Sequence, residues 1–354
     1  MTAQISALQN MANIRDIRRR IRSVKNTRQI TKAMKMVAAA KLRRAQERAL
    51  ASRPYAHMLA NILTSTVLRA DLMNAKTGQP LNPLLAKRPE ERILLVLVTG
   101  DRGLAGAFNS NVLKTATKFL DHFKDKTIDV LAIGRKGRDF LRRRYPVGKY
   151  GEERAGRIQV IGERLNLLAK VDYEEVSEIA DMIAKAYKNE EIDSVYLIYN
   201  EFKSVISQRM IAQRVMPVQE LGRREVALAE ELTLEERERM GEAARGAGVS
   251  LKEAGATEQE ADAAKFATQQ VDYIYEQPPE EIFADLLPRY IAFEIFEALL
   301  ESVAAENAAR MTAMDSASNN ANDVIDSLTL TMNRARQAAI TKEIIEIVSG
   351  AAAL

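Results

Sequence analysis

The chain has 354 residues, room for about two domains, and its 47% hydrophobic and 28% charged residues are the balance of a packed globular protein, not of a disordered tail. With no cysteine and two histidines, disulfides, thiolate metal sites, a cysteine nucleophile and a structural zinc site are all excluded. The formal net charge of +4 conceals an asymmetry: Ile14 to Arg48 carries thirteen Lys or Arg against two acidic residues, whereas Glu220 to Asp262 carries twelve acidic against six basic.

The segment MTAQISALQNMAN has neither an apolar signal core nor an arginine-rich transit pattern, and no apolar run approaches the ~18 residues of a membrane span. A protein on the cytosolic side is expected. From Ile14 to Arg53 there is no glycine or proline, which predicts a helix of roughly 60 Å at ~1.5 Å per residue. Ile14, Ile17, Ile21 and Val24 step by three and four, the spacing of a coiled-coil seam, and the pattern then slips to Ile30, Met34 and Val37, which reads as a stutter. Pro54 is expected to kink or interrupt this helix before it resumes from His57 to Ala70. Asn74 to Glu91, with Gly78, Pro80, Pro83 and Pro89, reads as a linker.

The grammar changes at Arg92. Ile93 to Val98 is a continuous apolar run ended by Thr99-Gly100, the mark of a strand buried on both faces. A helix over Asn109 to Phe123 follows, then a strand over Asp129 to Ile133, a basic helix over Arg138 to Arg144, a strand over Ile158 to Ile161, a helix over Tyr173 to Lys188 and a strand over Ser194 to Tyr199. This alternation predicts a small doubly wound, Rossmann-like α/β domain over 92–217. The acidic, alanine-rich stretch 218–267 reads as an appended helical module, with a helix over Glu225 to Met240 broken by later glycines, and 268–288 as a foot that leads through Pro278, Pro279 and Pro288 into the last helix.

Arg289 to Ser349 again lacks glycine and proline over 61 residues, a helix of roughly 90 Å. Two such rods at opposite ends of a chain have no compact core long enough to bury them, so they are expected to wind around each other, 1–73 against 289–354, with the α/β domain inserted between them. The seam of the second rod runs through Phe293, Phe296, Leu300 and Val303 and again through Ala321, Ile325, Leu328, Met332, Ala335 and Ala339, with a polar interval from Thr312 to Asp323. That interval signals a local bend or a surface that must not adhere strongly. After Ile340, the apolar residues Ile344, Ile345, Ile347 and Val348 surround the helix, a tip that calls for an apolar sleeve supplied by another molecule.

Catalytic signals are weak. Gly100 to Gly106 follows a buried strand, but its G-x-x-G-x-x-G spacing fits neither a dinucleotide nor a P-loop fingerprint, so a structural strand-to-helix turn is the expectation. His57 and His122 have no partner ligands in the pattern, and the carboxylates are dispersed. No catalytic, cofactor or metal residue is nominated. The basic first rod is compatible with nucleic acid or an acidic membrane surface, but without aromatic interleaving it reads first as a solvated face or a partner's docking surface; a small Rossmann-like enzyme is a third reading.

Four segments resemble the gamma subunit of F-type ATP synthase: Ile30 to Lys41, Gly100 to Asn109, Glu306 to Met311, and Arg336 to Ala351. The resemblance implies an antiparallel two-helix coiled coil carrying an inserted Rossmann-like α/β domain, a noncatalytic rotor without cofactor, present once per complex. Its implied partners are the alpha and beta subunits, the epsilon subunit and the membrane c-ring, without nucleic acid, at the cytoplasmic face of a bacterial membrane. By motif position it implies beta-subunit contacts at Met34, Lys35, Arg310, Arg336, Gln337, Thr341, Glu343 and Glu346, and foot contacts to the c-ring and epsilon at Tyr273, Tyr275 and Glu276. It implies no role for 218–267, and without cysteine that insertion cannot be the dithiol switch of the chloroplast relatives.

Overall fold

A computed structural model describes residues 2–69, 80–149, 153–218, 221, 224–251 and 276–352, and divides the chain into two compact units. One unit joins residues 1–37 to 311–354, and the other spans 38–310. Two long helices, α1 (Thr2–Arg69) and α6 (Pro279–Ala352), supply the helical segments of the first unit.

Within that unit Arg28 meets Asn322, Thr31 meets Ser318 and Lys35 meets Asp315. The partner number falls as the residue number rises, so the two segments run antiparallel. The inward positions of α1 are Ile14, Ile17, Ile21, Val24, Arg28, Thr31 and Lys35, all buried or half-buried and stepping three and four without interruption. The expected stutter is absent, because the seam continues in polar residues while Ile30 and Val37 point outward, 59% and 57% exposed. On α6 the matching positions are Met311, Met314, Ser318, Ala321, Ile325, Leu328, Met332, Ala335 and Ala339, again a heptad.

The second unit is built on a six-stranded sheet of order β3-β2-β1-β4-β5-β6. Its strands are β1 (Arg92–Val98), β2 (Thr127–Ile133), β3 (Ile158–Arg164), β4 (Ser194–Phe202), β5 (Gln208–Met216) and β6 (Glu225–Glu231). The pairs β1–β2, β2–β3 and β1–β4 are parallel; β4–β5 and β5–β6 are antiparallel. Strand β1 is central and alternates between two cores. Ile93, Leu95 and Leu97 pack with Val112, Ala116 and Phe119 of α2 (Phe108–His122) and with Leu141 of α3 (Arg135–Arg142). Leu94, Val96 and Val98 belong to the opposite core, with Val176, Ile179 and Ile183 of α4 (Tyr173–Lys188), Leu59 and Leu63 of α1, and Leu287, Ile291, Ile295 and Leu299 of α6. The continuous apolar run is thus the signature of a strand covered on both sides.

Four expectations are corrected. The sheet is mixed, because β5 and β6 add to it in antiparallel fashion, β6 from beyond Pro217. Glu225 to Met240 is not one helix: its first part is the edge strand β6, in which Val226, Leu228 and Glu230 are half-buried and the residues between them exposed, a period of two. The alanine and glutamate content had outweighed that alternation. Helix α5 (Leu234–Gly246) follows, opened by a Thr233–Glu236 capping box, and Gly241 and Gly246 lie inside it. Pro54 and Pro288 both lie within continuous helices, so the first rod is not interrupted and the last begins at Pro279, where proline at the first helical position loses no hydrogen bond.

Candidate partner-binding surfaces

The polar seam of the helix pair is fully cross-connected. Arg28 Nη1 donates to Asn322 Oδ1 at 2.8 Å, the hydroxyls of Thr31 and Ser318 are 2.7 Å apart, and Lys35 Nζ donates to Asp315 Oδ1 at 2.6 Å. Three successive seam positions of α1 that a coiled coil would fill with Leu, Ile or Val are thus hydrogen-bonded to α6, beside the buried Met314 and Ala321 of that helix. Met34 lies half-buried beside this seam, whereas Ile30, Met36 and Val37 turn away from it and are exposed. The sequence reading missed Asp315, Ser318 and Asn322 as the partners; their three- and four-residue spacing inside the polar interval was the available signal.

Toward its C-terminal end the surface of α6 becomes apolar again. Ile340, Ile344, Ile345, Ile347 and Val348 are all exposed, Ile347 at 71%. Arg336, Gln337, Thr341, Glu343 and Glu346 are exposed on the same stretch, with Lys342 Nζ 3.8 Å from Glu346 Oε1. A soluble helix normally hides five large aliphatic side chains within nine residues, each contributing about 1.5–3 kcal/mol when fully buried.

In the other unit the glycine loop Gly100 to Gly106 is a brace. Gly100 N donates to Asn109 Oδ1 at 2.8 Å, Asp101 Oδ1 accepts from Arg135 N at 3.0 Å, and Thr99 Oγ1 accepts from Gly137 N at 2.8 Å, so the loop ties β1 to the starts of α2 and α3. Gly100 also admits Glu306: a Cβ there would lie 2.9 Å from Glu306 Oε1. That carboxylate is held in turn by Arg310, Nη2 to Oε1 2.5 Å, both side chains mostly buried. Arg310 therefore has an internal partner, as Lys35 has. At the tip of the loop Leu104 holds φ 64° and is exposed, an uncommon conformation for a leucine.

Of the foot residues, Glu276 is exposed, and Tyr273 and Tyr275 lie outside the described residues. His122 makes an edge-on contact with Phe123. Among the described residues no cluster of His, Asp and Glu is arranged to hold a metal ion, and no helix is long and apolar enough to cross a membrane.

An antiparallel helix pair with a hydrogen-bonded seam and an uncovered apolar end, joined to an α/β unit, defines a coiled-coil subunit that is completed by other chains. The family model described as ATP synthase matches residues 13–354. The ATP synthase gamma chain of Solibacter usitatus is 47% identical over 343 residues, covering 97% of this chain and 99% of that one. That of Chloroherpeton thalassium is 41% identical over 356 residues, covering 97% and 99%. The chain belongs to the ATP synthase gamma-chain family, and its function is that of the gamma chain in ATP synthase. In fold it is similar to a chain of the Euglena gracilis mitochondrial ATP synthase in rotational state 3, with TM-score 0.53, 16% identity, and coverage of 97% of this chain and 94% of that one. A chain of the Euglena rotor in rotational state 1 gives TM-score 0.51 at 17% identity, covering 93% and 99%.

Proposed function

We propose that the chain is the noncatalytic central shaft of an F-type ATP synthase, turning within a ring of alpha and beta subunits and joined at its foot to epsilon and the membrane c-ring. The observation that carries this reading is the uncovered tip, Ile340 to Val348, which needs an apolar sleeve from another molecule. Arg336, Gln337, Thr341, Glu343 and Glu346 offer exposed polar groups to the beta subunits, and Met34 and its outward neighbours Ile30, Met36 and Val37 offer apolar ones. Lys35 and Arg310 shape that surface through Asp315 and Glu306. Tyr273, Tyr275 and Glu276 meet the c-ring and epsilon at the cytoplasmic face of a bacterial membrane.

A shaft of this kind transmits energy without bonding to nucleotide. Its asymmetric surface interacts differently with three otherwise equivalent catalytic subunits, and that difference in interaction free energy sets their nucleotide affinities in turn. The thirteen basic residues of Ile14 to Arg48 suit an acidic lever on the beta subunit, where complementary charge favours fast, reversible contact. The insertion, with α5 at its described end, braces the α/β unit against α1 through Arg43, whose Nη2 donates to Ala247 O and Gly248 O.

The test is ATP hydrolysis by alpha and beta subunits assembled with the full chain and with a chain ending at Ser327. Loss of most activity or assembly on truncation is expected. Failure of either chain to associate would overturn the rotor reading and turn attention to nucleic-acid binding by α1.

A further inference from the structure

The gamma-chain function makes no use of a buried charged cluster between the antiparallel edge of the sheet and α6. Arg224, just ahead of β6, sits among three carboxylates: Glu201 of β4 at 3.3 Å, Glu297 of α6 at 2.9 Å and Glu301 of α6 at 2.9 Å. Glu201 is also paired with Arg209 of β5. A fourth carboxylate, Glu294, accepts from Gln213 Nε2 of β5 at 2.7 Å, and Gln213 Oε1 accepts from the buried Tyr199 hydroxyl of β4 at 3.0 Å. Lys203 beyond β4, Glu231 at the end of β6 and Tyr290 of α6 complete the titratable groups that act on these residues.

Counting the inner groups, four carboxylates face two guanidiniums. Glu294, Glu297 and Glu301 follow one another at i, i+3 and i+7 along one face of α6, where like charges repel. Glu201 and Glu301 are 5% and 6% exposed and Glu294 and Glu297 half-buried, so water screens the surplus only weakly. Two uncompensated negative charges in such a place are too costly to keep, and the inexpensive remedy is a bound proton.

We propose that this cluster is a proton-dependent latch: with a proton on an α6 carboxyl it clamps β5, β6 and the insertion behind them onto α6, and when the proton leaves, the surplus negative charge loosens the clamp. The carboxyl that holds this proton is Glu301. Burial, reinforced by Glu297 and Glu201 and opposed by Arg224, pushes it up to about 7, whereas Arg209 and Arg224 hold Glu201 below the ordinary glutamate range against its burial. The sign is fixed by linkage. A carboxyl whose folded value is raised contributes stability that is present at low pH and lost as pH rises through that folded value. For a group at about 7 that returns to an ordinary glutamate value when the edge opens, the local closing constant falls about tenfold between pH 6 and 8.5. Nothing in the gamma-chain role requires this, so the two stand or fall separately.

The experiment is amide hydrogen exchange on the full chain from pH 6 to 8.5, corrected for the intrinsic pH dependence of exchange. Protection of Arg209–Met216 and Glu225–Glu231 is expected to fall about tenfold in the wild type, while β1 and β2 stay constant. Glu301→Gln, which carries the neutral form permanently, is expected to keep its protection at pH 8.5. Wild-type protection independent of pH, or a Glu301→Gln curve parallel to the wild type, overturns the proposal. Infrared difference spectroscopy supplies a second reading that does not depend on the variant's stability. A protonated carboxyl band that titrates away near pH 7 is expected, and its absence from the wild type at pH 6 equally overturns the latch.

Discussion

Lys35 on α1 and Asp315 on α6 join across the helix pair, Nζ to Oδ1 2.6 Å, at a layer where the heptad places an apolar side chain. Both side chains are less than a quarter exposed, 15% and 22%, so the charges are partly desolvated and depend on each other. Lys35→Ala or Asp315→Ala alone is expected to destabilise the helix pair by about 1–3 kcal/mol, because each leaves its partner uncompensated. The double change to leucine should restore or exceed wild-type stability, since an apolar pair of similar volume avoids the desolvation cost. Thermal unfolding of the full chain decides this; single variants that melt with the wild type would show that the pair contributes nothing.

The same layer shows why part of the site escaped the sequence. Ile14 to Val24 announced the seam through apolar spacing, and α6 did so through Ala321 to Ala339, so the antiparallel pair was legible. Between them the α1 seam continues in Arg28, Thr31 and Lys35, and their partners are Ser318 of the α6 seam and Asp315 and Asn322 beside it, polar positions that a hydrophobicity pattern cannot register. The apolar Ile30 and Val37 suggest a different register, but both point away from the pair. Strand β1 was legible because both its faces are covered, whereas β6 has one half-buried face and residues that favour helix. The Arg224 cluster unites positions 201, 209, 224, 297 and 301, a grouping that only the fold creates.

Gly134 and Gly103 make a sharp contrast. At Gly134 the backbone has φ +88°, and an added Cβ would lie 1.9 Å from the carbonyl oxygen of Thr99, a backbone atom that cannot swing away. Both the conformation and the contact oppose a side chain. Gly134→Ala is expected to cost about 4 kcal/mol or more and leave little folded protein. Around Gly103 a Cβ would meet nothing within 4 Å, so Gly103→Ala should stay within about 0.5 kcal/mol of the wild type. Equal urea midpoints for the two variants would refute the contrast.

Asp193 ties the start of β1 to the start of β4. It accepts from Arg92 N and Arg92 Nη2, each at 2.8 Å, and more distantly from Glu91 N. Burial pushes its carboxyl up, but the Arg92 side-chain and backbone hydrogen bonds and the Arg92 charge outweigh burial and hold it below the ordinary aspartate range. A lowered folded value means that the stabilisation is present above the unfolded value of about 4 and is lost as pH falls through the folded one. Asp193→Asn is therefore expected to lose about 2 kcal/mol at pH 7, the scale of hydrogen bonds to a charged group. The gap from the wild type should narrow steadily below pH 4. Urea unfolding at pH 7 and pH 3 measures both, and a gap that is the same at the two values would contradict this assignment.

Arg43 holds the end of α5 against α1. Its Nη2 donates to the carbonyls of Ala247 at 3.1 Å and Gly248 at 2.8 Å, oxygens that the helix itself leaves without an intrahelical donor. The opposite end of α5 is held by Asn111 Nδ2, which donates to Glu236 Oε1 at 3.3 Å, and the middle by Met240, buried near Gln208. Removing one of three anchors should loosen the C-terminal turn without unfolding the sheet. Arg43→Ala is expected to raise exchange of the amides from Ala243 to Val249 about tenfold, the equivalent of one charged hydrogen bond of about 1.5 kcal/mol. Arg43→Lys should recover only part of this, because a single ammonium on a flexible stem does not reproduce the guanidinium's reach to two carbonyls. If Arg43→Ala exchanges like the wild type, α5 is held by its other contacts alone, and bracing against α1 is no part of what the insertion does.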